Sequence, residues 1–271
     1  MADKIVNMRK SIRKLFKRIL CVLVILSVAI ILRLFIFSPF RITSNSMSPM
    51  LKKGDIVIVN KLIYGIRSSK VINVEGHTLR SYSRTRGLGK INHNDVVVFN
   101  YPYKEWDRWD EISFQPNKYY VKRCIALPGD SLTIINGEYI IKENMEQLKG
   151  GYSQEVFYNV NRHKNNLPDT VIPYSPHNKL WTVYNMGPIY IPKRGDVIQL
   201  DSVNSVIYRN IIEWEITNTS HGKQQCNEQK EHTFINNYYF MAGDNVRESV
   251  DSRFWGLLPE CFIIGKVSFT L

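Results

Sequence analysis

Cysteine is scarce in these 271 residues and shows no pattern. Cys21, Cys124, Cys226 and Cys261 form no C-x-x-C pair and no metal-ligand spacing, which argues against a zinc ribbon or a thioredoxin-like motif. Cys21 falls in an apolar segment, so at most one bridge could join two of the other three. The six histidines are scattered singly and suggest no ligand cluster. Long amphipathic helical periodicity is scarce as well, which argues against a helical bundle. Acid is in deficit, with 36 Lys and Arg facing 24 Asp and Glu for a net charge of +12. Half of that excess sits in residues 1–18, where Lys4, Arg9, Lys10, Arg13, Lys14, Lys17 and Arg18 face only Asp3. No recognition motif or basic helix accompanies the charge, so nucleic acid is not an expected partner. With 44% hydrophobic residues, the chain is neither disordered nor collagenous and can form a core as one domain or two.

One long apolar run is present. From Ile19 to Phe37 the chain reads ILCVLVILSVAIILRLFIF, interrupted by Ser27 and Arg33. As a helix this is long enough to cross a bilayer, which takes about 20 residues. Arg33 lies near the far end and can snorkel to the headgroups. The basic stretch before the run predicts a cytoplasmic N-terminus, with Pro39 onward outside. A cleavable signal peptide with its small-residue site at Ser27-Val28-Ala29 is the competing reading. The apolar residues beyond Ala29 favour an uncleaved signal anchor. No second stretch of comparable length and purity follows.

Beyond the anchor, strand signals dominate. Asp55 to Asn60, Asp95 to Asn100 and Lys118 to Leu127 are rich in β-branched and aromatic residues between turn formers. Asn136-Gly137 sits between two apolar runs and predicts a hairpin within Ser131 to Tyr139. Further strands are expected at Trp181 to Tyr184, Asp196 to Leu200, Val206 to Tyr208 and Tyr238 to Met241. The expected architecture is mostly β. A basic tail (1–18) and a transmembrane anchor (19–37) lead into an antiparallel, partly barrel-like core from residues 38–137 and 236–271. Residues 138–235, with polar stretches such as Asn161 to Asn166, are expected to form an inserted second β subdomain. Residues 68–90 read as a long loop or exposed hairpin. Nothing is assigned to the sequon Asn218-Thr219-Ser220.

Directly after the anchor comes Thr43-Ser44-Asn45-Ser46-Met47-Ser48-Pro49-Met50-Leu51. Taken alone it reads as a turn. Ser46 is a nucleophile only if a neighbouring base takes its proton. His93 lies in a turn sequence and is not a convincing base. Lys122, in Tyr119-Tyr120-Val121-Lys122-Arg123-Cys124-Ile125, is an alternative, because on a strand it points away from Arg123 and can occupy its own environment. An ordinary lysine is neutral in only about 0.04% of molecules at pH 7, and burial can raise that fraction.

Five blocks, in order, resemble bacterial type I signal peptidases (leader peptidases). They are Ser44-Asn45-Ser46-Met47-Ser48-Pro49; Gly54-Asp55 through Asn60-Lys61 to Tyr64-Gly65-Ile66; Gly89 to Pro102; Tyr120 to Asp130; and Gly243 to Gly256 (GDNVRESVDSRFWG). The resemblance runs from residue 19 to about 266 and leaves 138–235 uncovered. It implies a Ser-Lys dyad serine protease of the bacterial cytoplasmic membrane, with its catalytic domain on the outer face. Ser46 would be the nucleophile and Lys122 the base; Ser44 would be an oxyanion donor and Ser249 would orient the Lys122 amine. Arg123, Asp244, Asp251 and Arg253 would be charged supports. Phe40, Ile42, Met47, Leu51, Tyr120 and Val121 would line shallow pockets for small residues (Ala-x-Ala). The implied partners are secreted preproteins and membrane lipid; no cofactor or metal is implied, and a monomer is expected. Val246, Arg247 and Glu248 depart from the family pattern. The competing readings are an inactive membrane-anchored β module that binds exported proteins, and a self-cleaving peptidase like those of SOS repressors.

Overall fold

The computed structural model describes residues 2–31, 33, 36–74, 77–143, 146–149, 181–218 and 230–271. Helix α1 (Ala2–Ile31) opens the chain. Its large apolar side chains from Ile12 to Ile30 are exposed all round, Leu20, Leu23, Ile25 and Leu26 among them. After Arg18 the helix carries no charged side chain, so this part has no face suited to water. Among the described residues, no helix is long and apolar enough to cross a membrane. Of the expected span, the helix takes residues 19–31; residues 32, 34 and 35 lie outside the described residues, and Phe37 opens a strand.

β1 (Phe37–Arg41) pairs antiparallel with β2 (Ile56–Asn60). β3 (Arg67–Val74) and β4 (His77–Arg84) form a hairpin in the region read as a loop or hairpin. Arg67 and Arg84 hold that hairpin down by donating to main-chain carbonyls of Glu260, Cys261, Phe262 and Ile263. β5 (Val96–Asn100) pairs with β6 (Tyr119–Ala126). β7 (Ser131–Ile135), β8 (Glu138–Glu143), β9 (Glu146–Lys149) and β10 (Met186–Tyr190) make a four-stranded sheet. Its β7–β8 turn has φ 53° at Asn136 and 85° at Gly137, the left-handed pair that Asn-Gly favours in a two-residue hairpin turn. β11 (Val197–Gln199) pairs with β12 (Glu231–Thr233). Between them lie helices α2 (Asn204–Ile207) and α3 (Arg209–Asn218). β13 (Tyr238–Ala242), helix α4 (Ser252–Trp255), β14 (Leu258–Pro259) and β15 (Ile263–Thr270) complete the fold.

The main sheet has seven strands in the order β1-β2-β15-β5-β6-β13-β14, with every neighbouring pair antiparallel. It is an open sheet with β1 and β14 as its edges. β5 shows why Val96-Val97-Val98-Phe99 is continuously apolar: Val97 and Phe99 enter the large core with Trp255 and Phe262, while Val96 and Val98 enter a second cluster with Met47 and Leu51. The described part of residues 138–235 packs on that same large core, through Ile141, Met186, Ile189, Ile211, Trp214 and Phe234.

Two expected strands are corrected. Val206-Ile207-Tyr208 belongs to a helical segment, because Asp201 Oδ1 accepts from the Val203 and Asn204 N–H groups and starts a helix. Trp181 to Tyr184 leads into a turn, where the Thr182 hydroxyl oxygen accepts from Asn185 N, and the strand begins at Met186. Asn161 to Asn166, Cys226 and the sequon residues Thr219 and Ser220 lie outside the described residues. Cys124 and Cys261 are free thiols.

Candidate active site

Ser46 sits in the loop that joins β1 to β2. The loop neck is closed by the Ile42 N–H on the Asp55 carbonyl and the Gly54 N–H on the Ile42 carbonyl. Met47 and Leu51 anchor it from below, fully buried in the second cluster. Apolar side chains thus hold the loop down while its serines face the cleft.

Lys122 comes from β6, where it shares a face with Tyr120 and Cys124 while Arg123 takes the other. Its side chain is buried, at 2% exposure, and its amine donates to Ser46 Oγ at 2.7 Å. Burial pushes the Lys122 amine down to about 8, against the Asp251 charge, which pulls it up. The Ser44 hydroxyl donates to the same Ser46 Oγ at 3.2 Å. The Ser46 N–H has no partner among the described residues. Among the described residues no histidine bonds to Ser46; His93 pairs instead with Asp130 at 2.7 Å.

The segment after β13 clasps the serine loop. The Asn245 N–H donates to the Ser46 carbonyl at 3.0 Å, and Asn245 Nδ2 to the Asn45 carbonyl at 3.2 Å. Gly243 is required by this approach: a Cβ there would overlap the Ser249 hydroxyl and lie 2.5 Å from the Ser46 carbonyl oxygen. The Ser249 hydroxyl donates to Asp251 Oδ2 at 2.6 Å and makes no hydrogen bond with the Lys122 amine. Asp251 also takes the Gly243 N–H and a fork from Arg253, Nε at 2.8 Å and Nη2 at 2.6 Å. Burial pushes the Asp251 carboxyl up, but the Arg253 guanidinium more than offsets this and holds it below the usual carboxylate range. Arg123 grips Asp244 through Nε at 2.8 Å and Nη2 at 2.5 Å, and its Nη1 donates to the Asn94 carbonyl. These ion pairs fix the walls without touching Ser46 Oγ.

A cleft of about 240 Å³ opens over Ser46 and Lys122. Ile42, Met47, Tyr120 and Val121 line it, together with Ser44. Phe40 and Leu51 do not: Phe40 packs edge-on to Tyr119 at 5.1 Å, and Leu51 is in the core. Sequence reasoning missed Arg41, Thr43, Tyr119, Glu248 and Val250, which also line the cleft. Strand alternation and the loop neck could have suggested Arg41 and Thr43; nothing local to the C-terminal block marks Glu248.

The family described as signal peptidase, peptidase S26, matches residues 13–271. Signal peptidase I of Buchnera aphidicola subsp. Acyrthosiphon pisum is 31% identical over 242 residues, covering 87% of this chain and 68% of that protein. Signal peptidase I of Aquifex aeolicus is 28% identical over 268 residues, covering 96% of this chain and 82% of that protein. A crystal structure of a signal peptidase I from Enterococcus faecalis V583 gives a TM-score of 0.33 at 18% identity, covering 67% of this chain and 100% of that one, a likeness too loose to bear on the fold. With its family match running from the helix to the last residue, the chain belongs to the signal peptidase family, peptidase S26, and is a serine peptidase.

Proposed function

We propose that this peptidase removes signal peptides from secreted preproteins, with Ser46 as nucleophile and Lys122 as general base. One observation carries the reading: a buried amine lies 2.7 Å from a serine hydroxyl. At a pKa of about 8, roughly a tenth of the Lys122 amines are neutral at pH 7. The neutral amine takes the Ser46 proton as Oγ attacks the scissile carbonyl carbon. The ammonium then returns that proton to the leaving amine, giving an acyl-enzyme. Lys122 next takes a proton from water, whose oxygen attacks the ester carbon, and the ammonium returns that proton to Oγ as the ester bond breaks and Ser46 is freed. The Ser46 N–H and the Ser44 hydroxyl would receive the oxyanion. The Asp251–Arg253 and Asp244–Arg123 pairs hold the segments that carry the reacting groups, and Ser249 acts through Asp251. No cofactor enters the reaction.

The cleft supports a peptide substrate. Residues 41–44 extend the edge strand β1 along one side and Tyr119 to Lys122 form another, so an extended segment can lie between them. Ile42, Met47, Tyr120 and Val121 leave shallow apolar room that suits small side chains such as alanine. The exposed apolar shell of α1 supports a membrane anchor for the enzyme, with the basic N-terminus in the cytoplasm and the cleft on the outer face. Anchoring would confine enzyme and substrate to one surface and raise their effective concentration.

The test is cleavage of a preprotein in detergent by wild type, Ser46→Ala and Lys122→Ala. Both variants should fall about 10⁴-fold or more. The wild-type rate should rise about tenfold per pH unit up to about pH 8 and then level off as the amine loses its proton. Variants that retain wild-type activity, or a rate that does not fall on acidification, would remove Lys122 from the mechanism. Wild type inert on several preproteins would favour a binding module.

A further inference from the structure

Glu248 departs from the family pattern, and the mechanism gives it no part. It ends the short helical turn Val246–Glu248 and lines the cleft that holds Ser46 and Lys122. The turn is fixed at both ends. Val246 is buried, the Glu248 N–H donates to the Asn245 carbonyl at 3.1 Å, and Asn245 is bonded to the serine loop. On the other side, Ser249 is fully buried and tied to Asp251. The Glu248 side chain is exposed, and its carboxylate forms no ion pair among the described residues. The cleft's other charged groups are Arg41, at the end of β1, and the buried Lys122, whose amine is taken up by Ser46. A carboxylate carried on a fixed main-chain turn therefore lines the substrate groove, and among the described residues no ion pair takes it up.

We infer that Glu248 selects substrates carrying a lysine or arginine among the few residues the cleft covers around the scissile bond. The inference rests on the peptidase reading proposed above. A carboxylate at an exposed wall attracts a cation modestly, so the preference is about two- to fivefold in kcat/KM and falls with salt. An arginine able to meet both carboxylate oxygens gains most.

The test uses the full chain in detergent and a series of peptides with one Ala-x-Ala cleavage site. Lys, Gln or Glu replaces one residue at a time from about three positions before the scissile bond to about three after it. Within each enzyme the readout is the Lys:Gln ratio of kcat/KM, so any general loss in a variant cancels. At one position, wild type should favour Lys about two- to fivefold at about 0.02 M salt and less at about 0.5 M. The ratio should approach one in Glu248→Gln, invert in Glu248→Lys and persist in Arg41→Gln. Equal ratios in wild type and Glu248→Gln at every position, or a ratio indifferent to salt, overturn the inference while leaving the peptidase reading standing. If wild type cuts no peptide, including the neutral parent, the peptidase reading fails and the inference falls with it.

Discussion

Lys122 and Glu215 are equally hidden from water, each 2% exposed, yet they are surrounded in opposite ways. The Glu215 carboxylate on α3 accepts from His232 Nε2 at 2.9 Å and Tyr238 Oη at 2.7 Å, and from the N–H groups of Ile235 and Asn236 and the side chain of Asn236. The Lys122 amine has one hydrogen bond, to the Ser46 hydroxyl. A buried charge that is fully surrounded by donors stabilises the fold around it. One that is left short of partners gives up its charge readily, and a general base needs that property.

Three substitutions would break or sharpen this contrast. Glu215→Ala strands five donors in the core, so it should lower unfolding free energy by about 3–5 kcal/mol in a urea titration in detergent. A loss under about 1 kcal/mol would mean the network is not structural. Lys122→Met should do the reverse, abolishing cleavage while stabilising the fold by about 3 kcal/mol at pH 7. The folded-state value of about 8 lies below the unfolded 10.5, so between them the unfolded chain binds more protons and wild-type stability rises with pH. The variant's advantage is thus full below about pH 8 and gone above about 10.5; melts across that window check the sign. Gly243→Ala should slow turnover about 100-fold by forcing the serine loop and Ser249 apart, with cooperative unfolding preserved. Unchanged kcat would show that the clasp has slack.

What the sequence disclosed follows from how local each determinant is. The Asn136-Gly137 turn was legible because two residues fix its backbone. Lys122 was legible as a strand residue, and its burial was plausible among Tyr120, Val121 and Cys124. Helices α2 and α3 were missed because Val206, Ile207, Ile211, Ile212 and Trp214 also suit strands, although the Asp201 carboxylate marks the start of α2. The Ser249 hydroxyl's choice of acceptor depends on a carboxylate oriented by Arg253, a geometry that residue types alone do not carry. Phe40 and Leu51 were misplaced for a similar reason: an apolar residue beside a serine can face the cleft or the core, and only the loop's anchorage decides which.

The clasp between Asn245 and Asn45 joins positions 200 residues apart, and its consequence is one of timing. Synthesis delivers Ser46 first and the clasping segment near the end. A half-made chain already owns Ser46, Lys122 and the neck of the serine loop, but neither the Asn245 clasp nor the Asp251–Arg253 wall. The clasp on the serine loop is therefore among the last contacts that synthesis allows.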